Sequence, residues 1–180
     1  ISAGSPYLWT RETYESVVAA GVFGPDDRLE LLDGELLNMA PQHTPHSTSV
    51  LLCRDYMISR FSADFVVRDQ LPIALDDHSE PEPDFAVVLV SIHNYTGHHP
   101  TGADVELLVE VSDSSLNLDR GRKLAAYARN GIQEYWILNL QDRQLEIHTE
   151  NQGDTFHHKI VLTEHEFIPG SDQKITSILP

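Results

Sequence analysis

Three side chains in this sequence carry the makings of a chemical site: Asp84, Glu110 and Lys123. Asp84 follows Pro83 at the start of the apolar run "FAVVLV", and Glu110 sits near the end of the apolar run "VELLVEV". A carboxylate inside an apolar strand is costly to desolvate unless something pairs with it. Lys123 lies on the next helical stretch, four residues after Asp119, so the two share a helix face, with Tyr127 one turn further on. The chemistry that wants this set is metal-assisted phosphodiester hydrolysis. Mg²⁺ or Mn²⁺ prefers hard oxygen donors, takes one or two carboxylates, and accepts a backbone carbonyl. Asp84 and Glu110 supply the carboxylates and Val111 the carbonyl; the metal then activates the attacking water. Lys123 orients that water or stabilises charge on the phosphate.

Simpler readings stand beside each of these. Asp84 can cap a turn after Pro83. Glu110 can pair with Lys123 or Arg122 as a buried ion pair. Lys123 can be a surface lysine paired with Asp119, and Tyr127 a core residue whose hydroxyl finds a polar neighbour. Ser112 and Ser114 read as turn and cap residues. The ten histidines, including His93, His98 and His99 in one loop and the pair His157-His158, show no HExxH spacing, and the single Cys53 offers no CxxC. Cys53 reads as buried and inert. No nucleophile elbow and no P-loop pattern is present.

Several elements must position these residues. "TRETYESVVAAG" predicts a helix capped by Thr10, with Val17 and Val18 buried and Gly21 at its end. "RLELLDGELLNMAP" predicts a hairpin turning at Asp33-Gly34, with Glu30 and Glu35 on its two arms. A second helix follows Pro45, with Val50, Leu51, Tyr56, Met57 and Phe61 near helical spacing. "ADFVVRDQLPIAL" is strand-like until Pro72. The runs from Phe85 to Val90 and through "VELLVEV" predict strands buried on both faces, separated by a polar loop over 91–104. "SSLNLDRGRKLAAYARNG" predicts a helix capped by Ser114 or Ser115. "EYWILNL" predicts a buried strand, "DRQLEIHTE" its hairpin partner, and the remainder, including "KITSILP", short strands. The order predicts one mixed α/β domain over residues 1–180.

The ordered combination resembles the Uma2 family of the PD-(D/E)XK, or restriction-endonuclease-like, superfamily. It rests on Glu30 with Asp33-Gly34-Glu35, His46 opening a helix, Pro83-Asp84, "LLVEVSDSS", Asp119, Lys123, Tyr127 and "GIQEYWIL", from about Thr10 to about His148. The resemblance implies a central mixed sheet flanked by helices, with an N-terminal helix and hairpin and extra C-terminal strands. It also implies a nuclease-type metal site of Asp84, Glu110 and Lys123, bordered by Glu30 and His46. Glu30 resembles the additional acidic metal ligand that many superfamily members contribute. The broad superfamily pattern puts the lysine two residues after the glutamate, where this chain has Ser112. The lysine has moved to the following helix as Lys123, which keeps the amine near the metal only if that helix packs back over the strand end.

Bulk properties bound the function. Twelve Lys and Arg face 28 Asp and Glu, a net charge of −16. A chain this acidic has at most a small basic face for phosphates. The resemblance nonetheless implies nucleic acid, DNA in the first instance, as the substrate and a homodimer as the assembly, with the strand "DRQLEIHTE" or the C-terminal strands as its edge or apolar face. No apolar stretch spans a bilayer, the first residues do not read as a signal peptide, and one cysteine suits a reducing cytoplasm. The alternatives are a non-catalytic scaffold that keeps the fold and binds a protein partner, or a hydrolase of another phosphate-containing ligand.

Overall fold

The computed structural model describes residues 4–24, 26–39, 41–90 and 95–180. The loop histidine His93 lies outside the described residues. Six strands form one sheet in chain order: β3 (Phe65–Asp69), β4 (Phe85–Leu89), β5 (Val105–Ser112), β6 (Tyr135–Asn139), β7 (Gln144–Asn151) and β8 (Phe156–Thr163). Every neighbouring pair is antiparallel except β5 with β6. A parallel pair needs a crossover, and residues 116–129 provide it as a helical segment. This segment starts as α3 (Leu116–Leu118), widens into a π turn over Asp119–Lys123, and continues as α4 (Leu124–Arg129).

Alternation along the strands sorts the core into two faces. Phe85, Val87, Val109, Val111 and Trp136 pack with Cys53 and Met57 of α2 (Thr44–Arg60). Ala86, Val88, Leu108 and Ile137 pack on the other face with Tyr127 and Ala128 of α4. Both faces of β4 and β5 are covered, which is why their sequences read as continuous apolar runs. The same alternation puts Glu110 on the face of Leu108, beneath the crossover. The continuous burial of β4 ends at Val88; Leu89 and Val90 are exposed.

The first two strands stand apart from the sheet. Strands β1 (Leu29–Leu32) and β2 (Glu35–Asn38) form a hairpin. Asp33 (φ 52°) and Gly34 (φ 79°) turn it with two left-handed residues, the geometry an Asp-Gly pair favours. The hairpin docks through reciprocal backbone bonds between Leu31 and Glu80, and is held to the crossover by Arg122, which donates to Glu35 Oε2 at 2.8 Å and to the Leu32 carbonyl at 3.1 Å.

Four local expectations are corrected. Helix α1 (Arg11–Ala19) is capped by Thr10, but it buries Tyr14, whose hydroxyl donates to the Leu29 carbonyl; Val17 is half-buried and Val18 exposed. Helix α2 faces the core with Ser49, Cys53, Tyr56 and Met57, so Leu51 is exposed. Strand β7, which holds "QLEIHTE", is interior, because β8 pairs along its outer side; the sheet edges are β3 and β8. "KITSILP" forms a 3-10 turn over Ile175–Ser177, and its Ile175, Ile178 and Leu179 are buried in the first core face.

Gly102 is fixed by close approach: a Cβ there would lie 2.0 Å from the Asn130 carbonyl oxygen. Gly102→Ala is therefore expected to destabilise the fold by about 1–3 kcal/mol or more, since backbone must shift to admit the methyl. Urea unfolding checks this; a loss under about 0.5 kcal/mol would contradict the packing. Among the described residues, no helix is long and apolar enough to cross a membrane.

Candidate active site

Antiparallel pairing of Phe85 with Val109 puts Asp84 beside Glu110. The Asp84 N–H donates to Glu110 Oε2 at 3.3 Å, and the Val111 N–H donates to Asp84 Oδ2 at 2.8 Å. His46, in the first turn of α2, brings Nε2 within 3.3 Å of the same Oδ2. Glu110 Oε1 accepts from Lys123 Nζ at 3.0 Å and from the Tyr127 hydroxyl at 2.6 Å. Lys123 Nζ also lies 3.1 Å from Glu30 Oε2, so the amine is clamped between hairpin and sheet. Lys123 is 5 % exposed and Glu110 4 %, which removes the reading of Lys123 as a surface residue.

The π turn explains how Asp119 and Lys123, four residues apart, reach different partners. Its extra residue widens the turn. Asp119 Oδ2 accepts from the Ser112 and Ser115 hydroxyls, both at 2.6 Å, while Lys123 turns to Glu110 and Glu30. Ser115 stands at the N-cap position, yet spends its hydroxyl on Asp119 rather than on the helix backbone. Arg120, in the same turn, pairs with the fully buried Glu146 of β7, which also accepts from Lys159 at 2.7 Å. Burial pushes the Glu146 carboxyl up, but hydrogen bonds from His148, Arg120 and Lys159 outweigh it and hold it well below the usual carboxylate range.

One cavity of about 390 Å³ collects Glu30, His46, Asp84, Glu110, Asp119 and Lys123 on its wall. Tyr127 stands behind it, bonded to Glu110. Burial drives the Glu110 carboxyl up to about 8, against the pull of Lys123, and the charges of Asp119, Asp84 and Glu30 push the same way. Burial would depress the Lys123 amine, but Glu110, Glu30 and Asp119 outweigh it and raise it above the ordinary lysine value. Burial likewise lowers His46, yet its hydrogen bond to Asp84 and the charges of Asp84 and Asp113 prevail, so its pKa is raised. Burial raises Asp119, opposed by Lys123 and the two serines. The cavity carries more negative charge than its cations neutralise, and its protons are held tightly.

Four participants are absent from the sequence-based set. Gln70 donates to Asp84 Oδ1 at 3.3 Å; only the β3–β4 pairing brings it there, and nothing in its neighbours signals it. Ser112 had a signal, since strand alternation puts residues 110 and 112 on one face. Glu82 donates its N–H to Glu30 Oε2 at 3.1 Å and turns its own carboxyl, raised by burial and by Glu30, into the cavity. Arg28 lines the mouth.

The Tyr127 hydroxyl is the shortest bond to Glu110. Tyr127→Phe removes a buried donor to a carboxylate and is expected to cost about 1–3 kcal/mol of stability. Thermal unfolding of the two proteins side by side checks this; unchanged stability would mean that Lys123 and the Asp84 N–H suffice for Glu110.

The donor set fits a hard, hydrated divalent cation. An ionised carboxylate offers about four acceptor positions. Asp84 spends three, on Val111, His46 and Gln70, and Glu110 spends three, on Lys123, Tyr127 and the Asp84 N–H. Each keeps one, from adjacent strands, on one cavity wall. Among the described residues, no group of three or more His, Cys, Asp or Glu side chains is arranged to hold a metal. A caged, zinc-type centre is therefore a poor match, whereas Mg²⁺, which keeps most of its waters, asks for no more than two carboxylates.

A family model, Uma2, described as "Putative restriction endonuclease", matches residues 11–173. The fold is similar to a crystal structure of a protein from Anabaena variabilis described as "a putative nuclease belonging to DUF820". The TM-score is 0.71 at 13% identity, over 94% of this chain and 97% of that one. No curated protein matches. The structural likeness establishes the restriction-endonuclease-like fold, a mixed sheet with flanking helices.

Proposed function

The chain belongs to the Uma2 family, and on that premise we propose that it is a divalent-metal-dependent nuclease whose centre is Asp84, Glu110 and Lys123. One observation carries the reading: Asp84 and Glu110 meet across β4 and β5 on one cavity wall, with the Lys123 amine 3.0 Å from Glu110. Asp84 and Glu110 hold the cation, Mg²⁺ or Mn²⁺, with the Val111 carbonyl as third protein ligand. Glu30 borders it, with Oε2 already given to Lys123 and the Glu82 N–H. When bound, the cation supplies Lewis-acid polarisation of the phosphate and of the attacking water.

The chain's own residues do the rest. Lys123, kept protonated by the carboxylates around it, places positive charge where the phosphate gains negative charge. Glu30 and Glu110 fix its Nζ from two sides, and Tyr127 fixes Glu110. Asp119 ties the π turn to the end of β5 through Ser112. His46 holds Asp84 from the helix side and carries a proton close to the reacting oxygens.

DNA is the proposed polymer, and a homodimer that cuts two strands and works in the cytoplasm completes the proposal. The test is cleavage of single-stranded, duplex and branched DNA and RNA with Mg²⁺ or Mn²⁺. Asp84→Asn and Glu110→Gln are each expected to abolish cleavage. Cleavage that survives in both, or a wild type that cuts nothing on the panel, would refute the reading. A second reading, a non-catalytic scaffold that binds a protein partner, is favoured by the closed Glu30–Lys123–Glu110 network, which satisfies the amine without a cation. A third, hydrolysis of another phosphate-containing ligand, uses the same groups on a smaller substrate and predicts cleavage of nucleotides but not polymers.

A further inference from the structure

Behind the hairpin lies a second cavity, of about 680 Å³, whose wall shares Glu82 with the first. Its floor holds Glu80, only 4 % exposed. The backbone of Glu80 is spent on the bridge to Leu31; of its side chain, Oε2 is buried with no hydrogen-bond partner, and the side chain's strongest electrostatic neighbour, Glu15, is another carboxyl and not a cationic donor. Arg11 Nε lies 3.9 Å from Oε2, and His99 Nε2 lies 3.9 Å from Oε1, both beyond hydrogen-bonding distance. A buried carboxyl left this way lacks the donors such groups normally find. The walls around it are of another kind. Val18, Pro72 and Ala74 are apolar, and Tyr95 adds an aromatic ring at the rim, with the Arg68 guanidinium 5.7 Å from its centroid.

A flat apolar body with hydrogen-bond donors on one edge satisfies floor and walls together. A bare cation satisfies only the floor. We propose that this cavity receives a nucleobase bearing an exocyclic amino group, which donates to Glu80 while the ring lies against the apolar wall and Tyr95. The choice of a nucleobase rests on the nuclease reading, since the shared Glu82 wall puts the cavity beside the phosphodiester site. Burial and the neighbouring Glu15 carboxylate push Glu80 up to about 8. Near neutrality its carboxyl can therefore also donate to a ring nitrogen, which the amino-bearing edges of cytosine and adenine present.

The test is equilibrium binding of free nucleosides without divalent cation, so that neither phosphate recognition nor cleavage takes part. Cytidine and adenosine are expected to bind at least about tenfold more tightly than their counterparts dimethylated on the exocyclic nitrogen, which keep the ring and lose the donor, the difference that one hydrogen bond to a charged or buried carboxyl makes. Glu80→Met is expected to erase that preference, and Tyr95→Ala to weaken all four nucleosides together while keeping it. Equal binding of cytidine and its dimethylated counterpart, no binding at all, or a preference that survives Glu80→Met overturns the proposal. Should Glu80→Met not fold, the wild-type comparison and Tyr95→Ala still decide. Base-selective binding in a protein that cleaves nothing would retain this cavity and refute the nuclease; cleavage with no base preference would do the reverse.

Discussion

Lys123→Met is expected to cost about 3–5 kcal/mol of stability at pH 8 without divalent cation, because it strands two buried carboxylates. Methionine replaces the stem of the side chain and removes only the ammonium. Glu110 is then left with the Tyr127 hydroxyl and the Asp84 N–H, and Glu30 with the Glu82 N–H. The cost depends on pH, and its sign follows from Glu110. In the wild type its folded pKa is already raised to about 8. Such a group contributes stability that is fully present below its unfolded value and is lost as pH rises through the folded one. Removing the ammonium raises the folded value further, so the penalty is nearly level from pH 5 to pH 7, where Glu110 keeps its proton in both proteins, and grows above about pH 8, where only the wild-type carboxyl ionises. Urea unfolding at pH 6 and at pH 9 reads this directly. A loss below about 1 kcal/mol, equal at both, would mean that water reaches the pair and the clamp is not buried. Cleavage is expected to fall by about 10²–10⁴-fold under conditions where the variant is folded.

The same substitution shows why sequence reading located the lysine but not its surroundings. Glu110 was legible because a carboxylate in an apolar strand demands a partner, and Asp84 because it opens the neighbouring apolar run. The hairpin turn was legible from Asp33-Gly34, whose backbone preference is local. For Lys123 the sequence leaves two readings open, a buried partner of Glu110 and a surface partner of Asp119, and the structure has the first. A regular helix puts residues 119 and 123 on one face, and that regularity suggests a surface ion pair. The π turn breaks it: from within that turn Arg120 reaches Glu146 of β7, 26 residues away in the chain, while Lys123 reaches Glu110 of β5. Gln70 was hidden for the same reason: its partner Asp84 is 14 residues away, and only sheet register joins them. In both cases the missing information is tertiary. The misplaced Val18 of α1 and Leu51 of α2 have the same origin: Tyr14 and Ser49 are buried because of what the helices pack against, which apolar spacing alone does not reveal, whereas Cys53, Tyr56 and Met57 are buried as their spacing suggests.

Charge balance links the interior of the site to its substrate. Arg122, Arg129, Arg143 and Lys159 are each paired with a carboxylate of this chain. They are poor candidates for gripping a long phosphate backbone, which agrees with the net charge of −16. Recognition that depends little on a basic face suits a site enclosed in a cavity, where a single phosphate meets Lys123 and the cation and a neighbouring base is held by shape and edge.

The cation should make the pH dependence visible in a second experiment. At a free Mg²⁺ or Mn²⁺ concentration about a hundred times the dissociation constant, binding adds about 2.7 kcal/mol, or about 5–10 °C in melting temperature for a chain of this size. To bind between Asp84 and Glu110, the cation must displace the proton that Glu110 holds up to about 8, and it competes with the His46 ring at Asp84 Oδ2. For each proton displaced, the apparent affinity rises about tenfold per pH unit below the folded pKa. The thermal shift is therefore expected to be small at pH 6 and large at pH 8. Without cation, stability should fall over the same interval, because the native carboxyl holds a proton that the unfolded chain has already released. Two variants separate the causes. Glu110→Gln imitates the protonated group, so it should abolish the metal-induced shift and flatten the cation-free decline together. Asp84→Asn should abolish the shift and leave the decline, since Glu110 still titrates. A shift that is equal at pH 6 and pH 8, or that persists in both variants, would put the cation elsewhere on this acidic surface and leave Glu110 as the buried partner of Lys123 alone.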